Sequence, residues 1–370
     1  MKVCFLANTG WYLQNFRANT LRAFVEAGHD VVVLCPKGSG EENLSVAGVR
    51  CETFRLDNAG TNPFVELGSL IELAGVIRRI RPDCLYSFNP KTNLYGLLAS
   101  RLLGVRCIPN VSGVGSAALL RGLTGWIYSA LVKVAYRRAE FLFFQNEEDR
   151  EVFGELGLAD STNSLRLPGS GVDLERFSPD AENAEGHGEP VRFLMASRLI
   201  YPKGVVEYLR AAKSVVARYT NVECLLAGVP DGSDRAVPLD VIRSYCSEDS
   251  QVRFLGHVEE MSDVLTGVTA VVLPSSYPEG VPRSLLEGLA AGKLIVTTDR
   301  PGCRDALDEG VNGFFVQEQS VDSLVSAMEK VLALDEHELR AMSRFSRQKA
   351  ETGFDESAVI EAYLMRATPC

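Results

Sequence analysis

Short apolar runs alternate with stretches of helical spacing along the whole chain. "KVCFLA" and "DVVVLC" are β-rich runs separated by the helix-like "FRANTLRAFVEAG", which stops at Gly28. Next come "VRCETFRL", a helix through "ELGSLIELAGVIRRIRPD", then "CLYSF", "NLYGLLASRLLG", "RCIPNV" and "EFLFFQN". The pattern restarts at "VRFLMAS", with a helix from Lys203 to Ala217, "VECLLAG", a helix near Leu239 to Cys246, "VRFLGHV", "AVVLP", a further helix, "LIVTT" and "GFFV". Such β–α repetition requires parallel strands with helices on both faces. Between the halves, "LPGSGVDLERFSPDAENAEGHGEP" is rich in Gly, Pro and acid and reads as a linker. The expectation is an α/β protein of two doubly wound, Rossmann-like domains, residues 1–170 and 171–353, facing a central cleft at the C-terminal ends of their strands. Within residues 354–370, "DESAVIEAYLMRA" is helical and could cross back to the first domain.

Composition narrows the class. A chain of 370 residues, 46% hydrophobic and 23% charged, suits two soluble domains. No uncharged apolar run approaches the roughly eighteen residues of a membrane span, and "MKVCFLANTG" lacks a signal-peptide pattern. The nine cysteines are scattered without a C-x-x-C pair, so reduced thiols and a cytoplasmic setting are expected. A net charge of −10 argues against nucleic-acid binding. The charge is uneven, however. Residues 1–170 hold 18 Lys+Arg against 16 Asp+Glu, whereas the remainder holds 20 against 32. The first half is therefore the expected face for an anionic acceptor or surface.

Chemistry concentrates in "SSYPEGVPRSLLEGLAAG", Ser275 to Gly292. Pro278, Gly280 and Pro282 break the chain, and Leu285, Leu286, Leu289 and Ala290 then recur at helical spacing. Pro282 suits the first helical position, which leaves the amides of Arg283 and Ser284 pointing out of a helix N-terminus, a site for phosphate. Glu279 precedes that site and Glu287 lies one turn in, where carboxylates accept from hydroxyls. A diphosphate between two sugars satisfies these groups. Read alone, the stretch also allows Glu279 as a solvated loop charge and Glu287 as an acid favoured by the helix dipole. Other motifs are missing. "LANTGW" offers Gly10 without G-x-G-x-x-G, "SGVGSA" lacks the Lys-Ser/Thr of a phosphate loop, and there is no H-E-x-x-H or G-x-S-x-G.

At "ASRLIYPKGVVEYLRAA", Arg198 and Lys203 stand five apart after a strand, followed by Gly204. They resemble the R-x4-K signature of the retaining glycosyltransferases of family 4 with the GT-B fold, and Glu279 with Glu287 resembles that family's E-x7-E motif. "LPGSGVDLERFSP", "VRFLGHV" and "PGCRDALDEGVNGFFV" match further segments in the same order. "FNPKTNLYG", "IPNVSGVGS" and "FFQNEEDREVF" resemble a narrower branch, bacterial N-acetylgalactosaminyltransferases and related enzymes acting on undecaprenyl-diphosphate-linked saccharides. The resemblance covers essentially the whole chain.

The resemblance implies a UDP-sugar donor, with N-acetylhexosamines favoured, and a polyprenyl-diphosphate-linked saccharide acceptor in cell-surface polysaccharide or glycan synthesis. Arg198 and Lys203 would stabilise the departing diphosphate, Glu279 would hold donor-sugar hydroxyls, and Glu287 the ribose. Gly10, Gly280, Val281, Arg283, Ser284, His257 and Val258 complete the implied donor site. No metal is required, in keeping with the lack of an Asp-x-Asp cluster. Retention in this family is explained by front-face attack, the leaving phosphate taking the acceptor proton. Many relatives carry a histidine near the donor sugar, but His29 is the only histidine of the first half and falls at a helix-to-strand turn. Acceptor-side candidates are Arg17, Asn89 and Lys91, with surface ion pairs as the rival role of the two cations. His257 would line the base pocket through its backbone neighbours or serve structure alone. "LLRGLTGWIYSALVKVAYRRAEF", Leu119 to Phe141, is an amphipathic helix that either faces the core or lies on the inner face of an anionic membrane. Two rival functions remain: a nucleotide-sugar isomerase such as a 2-epimerase, and a catalytically silent nucleotide-sugar-binding partner of a membrane synthase.

Overall fold

The computed structural model describes the chain except residues 59, 61, 113–121, 138, 180–189, 247–249 and 369–370, with backbone alone for 122–128. Packing divides the protein into two compact units, Met1–Ser170 with Pro278–Gly280 and Ser357–Cys370, and Gly171–Tyr277 with Val281–Glu356.

The first unit holds β1 (Lys2–Leu6), α1 (Gly10–Glu26), β2 (Asp30–Pro36), β3 (Val49–Phe54), α2 (Pro63–Ile80), β4 (Cys84–Phe88), α3 (Pro90–Leu103), β5 (Arg106–Val111), α4 (Gly122–Tyr136), β6 (Leu142–Phe144), α5 (Glu147–Glu155) and β7 (Ser164–Arg166). Its strands pair in parallel in the order β3-β2-β1-β4-β5-β6-β7. The order reverses between β1 and β4, which makes their carboxyl ends the switch point where ligands of doubly wound sheets bind. Alternation along β1 feeds two cores. Val3 and Phe5 pack with Leu13, Leu21 and Phe24 of α1, while Cys4 and Leu6 pack with Leu73 and Ile77 of α2 and Leu94 of α3. Helix α1 begins two turns before the predicted stretch because the Thr9 side chain accepts from Tyr12 N and caps it there.

The second unit holds β8 (Val191–Ala196), α6 (Val205–Val216), β9 (Val222–Ala227), α7 (Leu239–Tyr245), β10 (Val252–Gly256), α8 (Met261–Leu265), β11 (Ala270–Leu273), α9 (Arg283–Ala290), β12 (Leu294–Thr298), β13 (Gly313–Val316), α10 (Val321–Ala333) and α11 (Glu336–Gly353). Six parallel strands run β10-β9-β8-β11-β12-β13, reversing between β8 and β11. The doubly wound α/β architecture expected from the sequence is thus present in each unit. The predicted linker is structured in its first part: Val172 N donates to Phe354 O at 2.8 Å, and Val172 and Phe177 are buried in the second unit's core.

Helix α12 (Glu356–Ala367) returns Val359, Tyr363 and Ala367 to the α1-side core of the first unit. There Tyr86 Oη donates to Tyr363 O at 2.6 Å, and Asn110 Nδ2 donates to Tyr363 Oη. The described cysteines are free thiols, and burial pushes those of Cys4, Cys84 and Cys224 up to about 12. No helix among the described residues is long and apolar enough to cross a membrane.

Candidate active site

The segments singled out in the second half leave the carboxyl ends of β8 and β11, the two strands that flank the second sheet's switch point. After β8, Arg198 is followed by a 3₁₀ turn, Tyr201–Lys203, and only then by α6 at Val205. The helix therefore starts two residues after the predicted Lys203: Gly204 at φ +77° separates the turn from the helix. The residue must be glycine for space as well, because a Cβ there would stand 2.4 Å from Pro274 O. Ser276 N and Ser276 Oγ both donate to Pro202 O, at 2.8 and 3.1 Å, and lock the turn to the chain leaving β11.

Tyr277 follows directly. It is buried, its amide donates to Ser275 Oγ at 3.1 Å, and its ring is shared by cations. The Arg198 guanidinium lies 5.4 Å and Lys203 Nζ 5.7 Å from the ring centroid. Lys203 is 7% exposed, whereas half of the Arg198 side chain meets solvent. Arg198 Nη1 also donates to Asp231 Oδ2 at 3.2 Å. Burial works against the charge of Asp231, yet hydrogen bonds from Ser233 and the nearby Arg198 and Arg235 hold its carboxyl below the usual range. Two cations converging at a switch point suit an anionic ligand, and charge developing on that ligand most of all.

Helix α9 begins one residue later than predicted. Pro282 is its N-cap, at φ −61° and ψ 129°, so Arg283 takes the first helical position. The ladder opens with Leu285 N and Leu286 N donating to Pro282 O. Ser284 follows Arg283 in this first turn, and Val281 is buried in the second unit's core. Arg283 Nε donates to Glu287 Oε1 at 3.0 Å and Arg283 Nη1 to Gly171 O at 2.9 Å. Burial pushes the Glu287 carboxyl up, and Arg283 partly offsets the rise. Arg283 therefore orients Glu287 with its side chain, a pairing that amide-based reasoning did not supply.

Glu279 belongs to the strip that packs with the first unit. Asn146 Nδ2 donates to Glu279 O at 3.3 Å, and Gly280 N to Ser112 O at 3.2 Å. A Cβ on Gly280 would stand 2.4 Å from Gln145 Oε1 and 2.9 Å from Gln145 Cβ, so a larger residue would displace Gln145 from this cradle. Gln145 Nε2 in turn donates to Asn110 Oδ1 at 3.2 Å, and Asn93 Nδ2 to Asn110 O at 2.8 Å. His257 is exposed just beyond β10, an edge strand away from the switch point, and Val258 beside it is half-buried.

The first-unit candidates are fastened by the protein itself. Gly10 N donates to Ser39 Oγ at 3.0 Å, and a Cβ at Gly10 would stand 2.6 Å from Glu41 N. Arg17 is 1% exposed, which removes the surface-ion-pair reading. Its guanidinium lies 4.7 Å from the Phe88 ring and donates to Tyr12 Oη at 3.0 Å and Ser170 O at 3.3 Å. A diphosphate could reach it only if that cage opened. Asn89, at φ +74°, accepts from Asn8 N at 3.3 Å and so bridges the ends of β4 and β1. Lys91 Nζ pairs with Glu66 Oε1 at 2.7 Å and donates to Gly60 O at 2.9 Å and to Asp57 O. His29 lies at the α1–β2 turn beside Phe24. In α4, Lys133, Leu131 and Val134 are exposed and Tyr136 is buried; Leu119 to Arg121, Arg138 and the side chains of Trp126 and Tyr128 fall outside the described residues. No group of three or more His, Cys, Asp or Glu among the described residues could hold a metal.

Sequence reasoning missed Tyr277, Asp231 and Arg235. Tyr277 sits in the very stretch that carries Glu279, and "VPDGSDRAV" advertises a charged turn, but neither signals that both meet Arg198.

Residues 178–349 match the family model for glycosyl transferases group 1, and residues 14–169 that for the glycosyl transferase 4-like domain. The chain is 26% identical over 379 aligned positions, covering 98% of itself and 97% of the relative, to the N,N'-diacetylbacillosaminyl-diphospho-undecaprenol alpha-1,3-N-acetylgalactosaminyltransferase of Campylobacter jejuni. It is 26% identical over 302 residues to the Escherichia coli UDP-Gal:alpha-D-GlcNAc-diphosphoundecaprenol alpha-1,3-galactosyltransferase, covering 78% of this chain and 76% of that one. The crystal structure of Anabaena HepE with UDP and glucose superposes with a TM-score of 0.79 at 16% identity, covering 99% and 98% of the two chains, a likeness of fold.

Proposed function

The chain belongs to the group 1 glycosyltransferases, with a glycosyl transferase 4-like first domain, and on that premise we propose that it moves an N-acetylhexosamine from a UDP-sugar to a polyprenyl-diphosphate-linked saccharide with retention of configuration. The observation that carries the donor side is the convergence of Arg198 and Lys203 on Tyr277 at the switch point. Cleavage of the sugar–phosphate bond leaves negative charge on the diphosphate, and fixed cations stabilise that charge more than they stabilise the intact donor. The start of α9 adds its first amides, and Glu287, held by Arg283, is set to accept from ribose hydroxyls. Glu279 would accept from donor-sugar hydroxyls. With the leaving phosphate taking the acceptor proton, the reaction proceeds without a metal.

A lipid-linked acceptor is supported by the two relatives named above, whose descriptions specify undecaprenyl-diphosphate saccharides. Contact with an anionic membrane through 119–141 is part of the proposal, and the exposed Leu131, Lys133 and Val134 are compatible with it. The isomerase alternative gains no support from these relatives. The test incubates purified protein with UDP-N-acetylglucosamine or UDP-N-acetylgalactosamine, with and without polyprenyl-diphosphate saccharide, and follows UDP and product anomer. Lipid-dependent UDP release with an α-linked product is expected. Conversion of one nucleotide sugar into the other without lipid would overturn the reaction class, and loss of turnover on removing metal would overturn metal independence.

A further inference from the structure

We propose that Arg235 is a third cation for the donor diphosphate, held in place by a loop that Asp231 organises; this rests on the donor reading above. The loop between β9 and α7 is fastened to the segment that carries Arg198. Leu199 N donates to Val229 O at 3.0 Å, Tyr201 N to Arg235 O at 2.9 Å and Val237 N to Leu199 O at 2.8 Å, with Ile200 bridging Ala236 in antiparallel fashion. These bonds place residue 235 opposite Tyr201, on the segment that carries Arg198, whatever its side chain is.

Within the loop, Asp231 Oδ1 accepts from Ser233 N at 3.0 Å and from Ser233 Oγ at 2.6 Å, and Arg235 N donates to Ser233 Oγ at 3.3 Å. The remaining oxygen, Oδ2, accepts from Arg198. One carboxylate thus fixes both the loop and the neighbouring cation. The Arg235 guanidinium lies 5.5 Å from the centroid of Tyr277, the same ring that Arg198 and Lys203 face. It makes no hydrogen bond or ion pair with a described side chain, so its donors are available to a ligand. Gathering like charges costs energy unless an anion joins them, and a planar guanidinium beside a second one suits adjacent phosphate oxygens. Asp231 is then a positioning residue and Tyr277 the platform on which the cations rest.

The test compares UDP with UMP by calorimetry, using wild-type protein and the variants Arg235→Gln, Arg235→Lys, Tyr277→Phe and Tyr277→Leu. Each variant is first checked for an unchanged unfolding midpoint. Arg235→Gln is expected to weaken UDP binding about tenfold or more while UMP binding falls by less than about threefold, since a charge-assisted contact to the second phosphate is lost. Arg235→Lys recovers part of the loss, Tyr277→Phe keeps wild-type affinity, and Tyr277→Leu, which removes the ring all three cations face, weakens UDP binding at least as much as Arg235→Gln. Equal losses for UDP and UMP, or unchanged affinity for both, overturn the inference while leaving the donor site standing. Wild-type protein that binds neither UDP nor any other nucleoside diphosphate in a panel of GDP, ADP, CDP and dTDP removes the donor reading and the inference together.

Discussion

The two units treat their cations differently. In the second, Arg198 and Arg235 share an aromatic ring and keep part of their surface in solvent. In the first, Arg17 is enclosed by Tyr12, Phe88 and Tyr363, and Lys91 is spent on Glu66 and the carbonyls of the loop after β3. All four lie near carboxyl ends of strands or in the helices that follow them, where doubly wound proteins bind ligands. Position alone therefore does not decide which of them meets a ligand. What separates the two pairs is how far their partners enclose them: Arg198, bonded to Asp231, still keeps half of its side chain in solvent, and each pair makes a different claim about what its loss would disturb.

The sharpest way to break the comparison is to remove one cation from each side. Arg198→Ala should lower turnover by about 10²–10³-fold with an unchanged unfolding midpoint, as expected for a donor to developing charge. A variant with near-normal turnover in steady-state assays would remove the second unit's distinction. Arg17→Ala should instead destabilise the protein by about 2–4 kcal/mol in denaturant unfolding, through lost packing and orphaned partners. Lost turnover at unchanged stability would make Arg17 a ligand residue after all.

A pair of carboxylates sharpens the contrast further. Asp149, buried in the first turn of α5, has its pKa raised to about 6 from 3.8, by burial first, with the hydrogen bond from Asn146 opposing. The folded state then binds more protons than the unfolded state, so stability falls as pH rises from about 4 to about 6 and levels off above. Asp149→Asn should flatten that slope and raise stability at pH 7 by about 1–3 kcal/mol in urea titrations. Asp231 has the opposite sign. Its pKa is lowered, so its contribution is present above the ordinary carboxylate pKa and is lost as pH falls through the lowered value. A profile in which the two variants, Asp149→Asn and Asp231→Asn, shift in the same direction would contradict this assignment. The smallest effect is expected from Lys91→Met, about 1 kcal/mol of stability for a partly buried pair, with donor affinity unchanged.

Much of the fold was legible because each strand is a short apolar run and each crossover helix has its own punctuation. The pairing of Arg198 with Lys203 was legible in residue type and spacing, and both reach the Tyr277 ring; the roles of Glu279 and Glu287 rest on the proposed function. The burial of Arg17 was missed for a local reason. Thr9 caps α1 early, and Arg17 then falls on the same stripe as Gly10, Leu13, Thr20 and Phe24, all buried. The spacing of Leu13, Leu21 and Phe24 in the sequence could have shown this. The loop at 229–237 was illegible for a different reason. Its partners are backbone groups of Leu199 and Tyr201, which every sequence possesses, so no residue type announces the pairing. The cradle of Asn110, Gln145 and Asn146 was hidden likewise, since amides in a chain do not reveal what they will meet.

Gly204 shows how narrow the tolerance of such a site is. The position of Lys203 is set by a methyl group that is not there. One carbon atom at residue 204 would press on Pro274 and part the turn from the chain that leaves β11. The least conspicuous residue of the segment thus defines a length standard, and the charge beside it is only as well aimed as that standard is kept.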